Sequence, residues 1–254
     1  MPVGWTVGSL SRNTLVPGGE LTRARAWSTM KVPVIVACIT SERADWHDVE
    51  LAITRSDNDA ALRLWSEARD PRGTLVERYL RRRGLELADN IAGTVLRFHP
   101  ALRYEGRDTP GMIALYRDLR TDRPCGIHRT FLRPDATKIA RPKMFGRSGG
   151  AAIKLDADDE VELGLVIGEG IETTLSARAL GFRPAWALGS AQAIARLPVL
   201  GGIEGLTICG ETDDASRRNV LACARRWTAA GVDVSVLKPD AGDLNNVLLA
   251  RRAS

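Results

Sequence analysis

The stretch Val166-Ile-Gly-Glu-Gly-Ile-Glu-Thr-Thr-Leu-Ser176 decides how the C-terminal part of this chain folds. An apolar run, Leu163–Ile167, leads into it and is typical of a short buried strand. Glu169 follows between two glycines, and a helical segment then spans Ile171–Leu180 before Gly181 closes it. The stretch therefore predicts a strand that turns directly into a helix, with an acid at the turn.

Strands and helices alternate from this stretch to the C-terminus. The predicted elements that follow are the strand Ala185–Leu188, a short helix capped by Ser190, the strand Leu206–Cys209, the helix Arg217–Ala230, the strand Val232–Leu237 and a helix from Asp243. Strands separated by helices imply a parallel sheet covered by helices. We therefore predict an α/β fold with a flanked parallel sheet over residues 159–254.

The residues before this segment predict a smaller α+β module over 57–158. Helical spacing comes first, and a period of two then indicates strands. The predicted elements are the helices Asp57–Arg69 and Thr74–Gly84, the strands Val95–His99, Gly111–Arg117, Gly126–Leu132 and Ala151–Leu155, and a basic loop, Lys138–Gly150. Residues 1–56 show no clear period and stay unassigned: Val32–Ile39 is compatible with a strand, and the rest with poor order.

Charge is distributed unevenly along the chain. Residues 94–155 hold 13 basic and 5 acidic side chains, whereas residues 156–254 hold 10 basic and 14 acidic ones. A basic region beside an acidic one suits a polyanion held next to a metal-binding pocket. The alternative interpretation is two solvated surfaces of different charge with no ligand, which would give the same counts of basic and acidic residues.

The four cysteines and the apolar runs exclude several classes of protein. No two cysteines have the spacing of a zinc-binding pair, so we expect free thiols in a reducing cytoplasm. The apolar run Val32–Ile39 is too short to span a membrane. We predict a cytoplasmic protein with no membrane partner.

Acidic residues follow three of the predicted parallel strands. Glu169 follows the first, Glu211 and Asp213 follow the strand that ends at Cys209, and Asp243 follows the last. Ligands of open parallel sheets bind at the carboxyl ends of the strands, so these acids should converge. Carboxylate oxygens suit Mg²⁺ or Mn²⁺, and such ions can orient a phosphate for transfer.

The order of these motifs resembles Toprim domains, most closely the branch found in primase-like proteins of phages, plasmids and integrated elements. The C-terminal motifs that carry the resemblance are Val166–Ser176, Trp186–Ser190, Ile208–Ser216 and Gly242–Leu248. The upstream motifs that resemble the segment preceding Toprim are Tyr79–Gly84, Leu96–Pro100, Gly126–Leu132 and Lys143–Gly146. The resemblance covers about Asp57 to Leu249.

The resemblance implies metal-dependent nucleotidyl transfer on nucleic acid. Glu169 would be the catalytic acid or base, and the metal ligands would be Glu211, Asp213 and Asp243. The remaining pocket residues would be Gly170, Glu172, Asp214 and Asn245. The implied partners are a single-stranded DNA template, nucleotides and, as a further candidate, a replicative helicase.

Four positions depart from the motifs of this branch. Glu211 and Ser216 stand where Asp and Gly are usual, and Ala241 and Asn246 replace a lysine and an aspartate. Of these four, Glu211, Ala241 and Asn246 favour a catalytically degenerate module that binds nucleic acid. No zinc-ligand set for template reading is present in the sequence.

Three functions remain open from the sequence. The leading hypothesis is primer synthesis in phage or mobile-element replication; the others are a Toprim nuclease that cleaves phosphodiesters and a catalytically degenerate nucleic-acid-binding module. The candidate contacts to nucleic acid are Arg129, Arg133, Lys138, Lys143 and Arg147.

Overall fold

The computed structural model describes the backbone of residues 6–9, 14–17, 46–210, 214–238 and 244–253, and most side chains from residue 54 onward within these ranges. The chain divides into two units, residues 1–54 and 55–254. In the first unit, β1 (Thr6–Ser9) and β2 (Thr14–Pro17) pair as an antiparallel hairpin. The segment Val32–Ile39 lies outside the described residues.

From residue 46 onward, helices come first and strands with crossover helices follow. In chain order the elements are α1 (Trp46–Glu67), α2 (Leu75–Arg82), β3 (Leu96–Tyr104), β4 (Arg107–Asp118), β5 (Pro124–Phe131), β6 (Lys143–Gly146), β7 (Ala151–Lys154), β8 (Gly164–Gly168), α3 (Ile171–Ala179), β9 (Ala185–Ala187), α4 (Ala191–Arg196), β10 (Gly205–Cys209), α5 (Asp214–Ala229), β11 (Asp233–Leu237) and α6 (Leu244–Ala253). A 3₁₀ turn at Asp158–Glu160 links β7 to β8.

One sheet runs through the whole second unit. Its strand order is β11-β10-β8-β9-β7-β4-β5-β6, with β3 paired to β4. The four strands β11, β10, β8 and β9 are parallel, and all the other pairings are antiparallel. This confirms the predicted α/β class, with a parallel sheet behind an α+β module. The predicted segments 57–158 and 159–254 share the sheet through β7.

Helices cover both faces of this sheet. Successive side chains of a strand point to opposite faces, and the apolar ones on each face pack against a helix. Met112 and Tyr116 of β4 pack in the same apolar cluster as α2, α3 and α6, whereas Ile113 and Leu115 pack towards α1. On the parallel strands, Ile167 packs with Trp227 of α5 in a further cluster. Apolar side chains on both faces are what a sheet between two helical layers requires.

Several predicted boundaries differ from the structure. The strand β3 continues to Tyr104 beyond its predicted end at His99, β4 begins at Arg107 rather than at Gly111, and α5 begins at Asp214 rather than at Arg217.

The first helix begins at Trp46 rather than at Asp57, since no glycine or proline interrupts residues 46–56. The predicted loop Lys138–Gly150 contains a strand, β6. This strand pairs with β5, and Lys143 of β6 lies opposite Arg129 of β5. Pairing with a distant strand stabilises β6, and no local sequence pattern reports such a partner.

None of the helices in the described part of the chain is long and apolar enough to cross a membrane.

Candidate functional site

The carboxyl ends of the four parallel strands lie along one edge of the sheet. In the pairing register, Gly168 at the end of β8 lies opposite Ala187 of β9. Leu237 at the end of β11 lies opposite Cys209 of β10. We call the edge at which these strands end the carboxyl edge. Because all four strands run the same way, the chain segments that follow them begin side by side at this edge.

Glu169 is the first residue beyond β8 at the carboxyl edge. Its backbone is fixed because its carbonyl oxygen accepts from the Gly189 N–H at 2.8 Å, and the carbonyl of Gly168 accepts from the Leu188 N–H at 2.9 Å. Glu169 itself is half-buried. Both hydrogen bonds come from the chain after β9, so the turn that carries Glu169 is tied to the neighbouring strand.

Glycine at position 168 is required by the start of α3. Thr174 is fully buried, and a side chain on residue 168 would collide with its hydroxyl group. That hydroxyl donates to the carbonyl oxygen of Gly170 at 2.8 Å, and Gly170 is the N-cap of α3. The Gly-Glu-Gly sequence therefore lets the helix approach the strand end closely and holds Glu169 in a tight turn.

Glu172, in the first turn of α3, lies in a buried polar contact with the upstream module. Its carboxylate is 2.6 Å from the ammonium of Lys138, and the Tyr79 hydroxyl donates to it. Burial raises the pKa of Glu172, but Lys138 and Tyr79 outweigh burial and hold this pKa below its ordinary value. Glu172 and Lys138 therefore form an ion pair that joins α3 to the segment after β5.

Two buried aromatic side chains, His128 and Tyr116, have ring centroids 6.4 Å apart, and the charges of Glu172 and Lys138 act on His128. Burial lowers the pKa of His128 to about 4, so the imidazole is neutral at pH 7. Tyr116 packs against Gly189, where φ is +84° and any side chain would strike the tyrosine hydroxyl. Among the described residues, the Tyr116 hydroxyl and Nδ1 of His128 have no hydrogen-bond partner. The sheet beside Glu169 therefore carries buried polar groups.

Two predicted pocket residues occupy different environments. Asn245 is fully buried in α6 and donates to the carbonyl oxygen of Arg83 at 2.6 Å and to the Ser176 hydroxyl at 3.2 Å. Asp214 begins α5, is largely exposed and lies 3.6 Å from Arg217. Asn245 thus connects α6 to α2 and α3, while Asp214 faces solvent.

The predicted basic contacts are mostly engaged within the protein. Arg147 lies 2.7 Å from Asp118, and its guanidinium holds the pKa of that carboxyl well below its usual range. The Arg147 backbone N–H also donates to the side chain of Asn58 in α1 at 2.8 Å. Arg147 therefore anchors the end of β6 to both β4 and α1.

The other basic side chains differ in exposure. Arg129 stacks over Phe145 at 5.0 Å, and burial lowers its pKa. Arg133 donates to a backbone carbonyl of the turn that follows it. Lys143 is exposed and lies 5.0 Å from the ring centroid of Tyr104. Lys143 is therefore better placed than Arg129 to meet an external anion.

The remaining acids of the predicted site, Glu211, Asp213 and Asp243, lie outside the described residues. The strands that precede them, β10 and β11, end at the carboxyl edge beside β8. Among the side chains that the structure describes, no three His, Cys, Asp or Glu residues are grouped to hold a metal ion.

Two residues that shape this region had no site role assigned to them from the sequence. Tyr79 lies on the apolar side of a helix, which is typical of a core residue, yet its hydroxyl group donates to Glu172. Asp156 is fully buried and accepts from Arg178 at 2.9 Å and from the Ala185 N–H at 2.9 Å. The only sequence signal for Asp156 was an acid directly after a predicted strand.

Two family models match the chain. One, described as a domain of unknown function (DUF7146), matches residues 55–155, and the other, the Toprim domain, matches residues 164–253. Among curated protein sequences, none matches this chain significantly.

Solved primase structures share the fold of this chain. A DNA primase domain from Pseudomonas aeruginosa is 15% identical, with 76% of this chain and 74% of that chain covered and a TM-score of 0.52. The DnaG primase catalytic domain bound to ssDNA is 14% identical, with 79% and 77% covered and a TM-score of 0.53. The Aquifex aeolicus primase, with its zinc-binding and RNA polymerase domains, is 14% identical, with 85% and 66% covered and a TM-score of 0.53. At these identities the likeness establishes the fold.

Proposed function

The chain is a Toprim-domain protein with a primase-like fold, and from this premise we propose that it is a metal-dependent nucleotidyltransferase. It would join nucleotides on a single-stranded DNA template in the cytoplasm, during replication of a phage or mobile element. A replicative helicase that exposes the template is part of this proposal.

The observation that carries the proposal is the position of Glu169 at the carboxyl edge. Its turn is held by two backbone hydrogen bonds from the chain after β9. The strands on its other side, β10 and β11, end at the same edge, and the next acids in the sequence are Glu211, Asp213 and Asp243. Acids that follow adjacent parallel strands suit one shared phosphate site.

The donor set at this edge fits Mg²⁺ or Mn²⁺ by its chemistry, since it consists of carboxylates and such cations prefer oxygen ligands. Glu211, Asp213 and Asp243 would hold the cation. When bound, the cation would neutralise phosphate charge and orient the attacking oxygen. Glu169, fixed by its backbone, would take or give the proton at the reacting hydroxyl.

The upstream module supports a nucleic-acid partner. One structure with the same fold is a primase catalytic domain bound to ssDNA. Lys143 is exposed on β6 and could contact a phosphate, whereas Lys138 and Arg147 already have carboxylate partners. We propose Arg129 and Arg133 as residues that shape this surface, because one stacks on Phe145 and the other bonds to backbone.

A template-directed incorporation assay tests this function. The full chain, a primed or unprimed single-stranded template, labelled nucleotides and Mg²⁺ should give extended products. Glu169→Gln should lower the rate by about 100-fold or more, since loss of a positioned general acid or base typically costs that much. The matched control is Glu162→Gln, which changes an exposed glutamate just before β8. Full incorporation by Glu169→Gln would refute the role of Glu169.

The same assay separates the two other candidate functions. A nuclease would shorten the DNA when Mg²⁺ is present and nucleotides are absent. The Glu169→Gln variant would then no longer shorten it. The degenerate binding module is favoured by Glu211, Ala241 and Asn246, which depart from the usual motifs. It would bind the template and neither extend nor shorten it.

A further inference from the structure

A cavity of about 310 Å³ opens at the carboxyl end of β9, and we call it the β9 pocket. One wall is formed by residues of the upstream segment, among them Leu119, Met144 and Gly149, and the other by Leu188 and residues between Ser190 and Pro198. The family models assign these two walls to different segments, 55–155 and 164–253. The β9 pocket is therefore built where the two segments meet within the second unit.

The β9 pocket adjoins the turn that carries Glu169. Gly189, between Leu188 and Ser190 of the wall, donates its N–H to the Glu169 carbonyl at 2.8 Å. In the sheet, β9 lies directly beside β8, and β7 lies beyond β9. Neighbouring strands are about 5 Å apart, so the pocket lies roughly 5–10 Å from the Glu169 turn.

The lining has the mixed chemistry that a planar heterocycle requires. Leu188 and Leu197 are buried and form an apolar floor, and Met144 contributes a flexible apolar side chain that is 44% exposed. Gln192 and Arg196 are exposed polar residues of α4 on the same lining. Small-molecule sites typically combine an apolar surface with a few polar groups, and a volume near the lower end of their range suits one base.

The order of features along the carboxyl edge indicates which way a nucleotide would lie. The acids follow β11, β10 and β8, whereas the β9 pocket lies on the other side, towards β7. Phosphates on the acidic side would place the base on the pocket side. The geometry points to the β9 pocket as the binding site for the base of an incoming nucleoside triphosphate. This inference rests on the proposed function, which supplies the phosphate site.

Calorimetry with two probes tests the assignment, using the full chain with Mg²⁺ and either ATP or inorganic tripolyphosphate. ATP should bind at least about 10-fold more tightly than tripolyphosphate, a difference typical of one stacked or buried base. Gly149→Leu should fill the pocket and remove this difference while leaving tripolyphosphate affinity unchanged. A Cβ atom added at Gly149 would meet nothing within 4 Å apart from its chain neighbours, so the backbone should tolerate the substitution.

Gly201→Leu is the matched control, because a Cβ atom added there also meets nothing within 4 Å and Gly201 does not line the pocket. It should retain the full ATP advantage. Gln192→Ala is a second variant, and thermal unfolding reports whether each variant is folded. If Gly149→Leu does not fold, Gln192→Ala decides: a reduced ATP advantage supports the pocket, and an unchanged one overturns it.

Other outcomes separate this inference from the proposed function. Equal binding of ATP and tripolyphosphate by the unaltered chain would overturn the base pocket and leave the phosphate site intact. Binding of neither probe would overturn both. A Gly149→Leu variant that binds an oligonucleotide more weakly but ATP normally would assign the pocket to a base of the strand, and this would also overturn the inference.

Discussion

The two parts of the large sheet use their charged side chains differently. In the antiparallel part, β3 to β7, predicted DNA contacts such as Lys138 and Arg147 are held by Glu172 and Asp118. In the parallel part, β8 to β11, acids follow the strand ends at the carboxyl edge. Net charge therefore overstates the positive surface available to DNA, whereas the position of a residue after a parallel strand is a more direct guide to the site.

The largest expected effect concerns Asp156, which anchors the parallel part just after β7. Asp156→Ala should lower the free energy of unfolding by about 3–5 kcal/mol, because Arg178 would lose its buried partner. Urea denaturation at pH 7 measures this change. Asp159→Ala, in the exposed turn nearby, should cost less than about 0.5 kcal/mol. A loss below about 1 kcal/mol for Asp156→Ala would show that the anchor is dispensable.

A smaller effect is expected from the buried histidine of the antiparallel part. Burial lowers the pKa of His128 from 6.5 to about 4, so between these pH values the unfolded chain binds more protons than the folded one. The stability that the neutral imidazole contributes is complete above about pH 6.5 and declines as the pH falls towards 4. At pH 4.5 the loss should be on the order of 2 kcal/mol.

Urea denaturation at pH 7 and at pH 4.5 gives the free energy of unfolding of the unaltered chain and of His128→Leu. Comparing the two proteins separates the contribution of His128 from that of the carboxylates, which both proteins share. The variant should lose less stability between the two pH values by about that amount. An identical pH dependence in both proteins would mean that the imidazole is accessible to protons in the folded state.

The smallest expected effect compares two cations of the antiparallel part. Lys143→Ala should lower the salt dependence of single-stranded DNA binding by about 0.7 in the log–log slope, the value for one phosphate contact. Arg147→Ala should change this slope less, because Asp118 already engages its guanidinium. Fluorescence anisotropy over a salt series measures both slopes. A larger change for Arg147→Ala would reverse the contrast between engaged and exposed cations.

Much of the parallel part could be predicted because its signals are local. Leu163–Ile167 indicated a strand that the structure places at Gly164–Gly168, and Ser190 caps α4 by accepting from the Ala193 N–H. Apolar runs, caps and closing glycines are each properties of a few adjacent residues. The order of strand, acid and helix could therefore be predicted directly from the order of these local signals in the sequence.

The features that could not be predicted depend on distant partners. β6 is stabilised by its pairing with β5, and α1 begins at Trp46, before its predicted start at Asp57. The ion pair of Lys138 and Glu172 joins segments that the sequence assigned to different modules. The sequence predicts Lys138 as a DNA contact and Glu172 as a pocket residue, and both roles stay predictions. No sequence pattern indicated that these two side chains contact each other.

Titration calorimetry with Mg²⁺ and Mn²⁺ tests the metal site at the carboxyl edge most directly. The unaltered chain should bind the cation, and Asp213→Ala should lose that binding. Asp233→Ala is the matched control, because it removes an exposed aspartate at the start of β11, on the opposite edge of the same sheet. Asp233→Ala should bind as the unaltered chain does. Unchanged cation binding by Asp213→Ala would contradict the assignment of the carboxyl edge as a metal-dependent site.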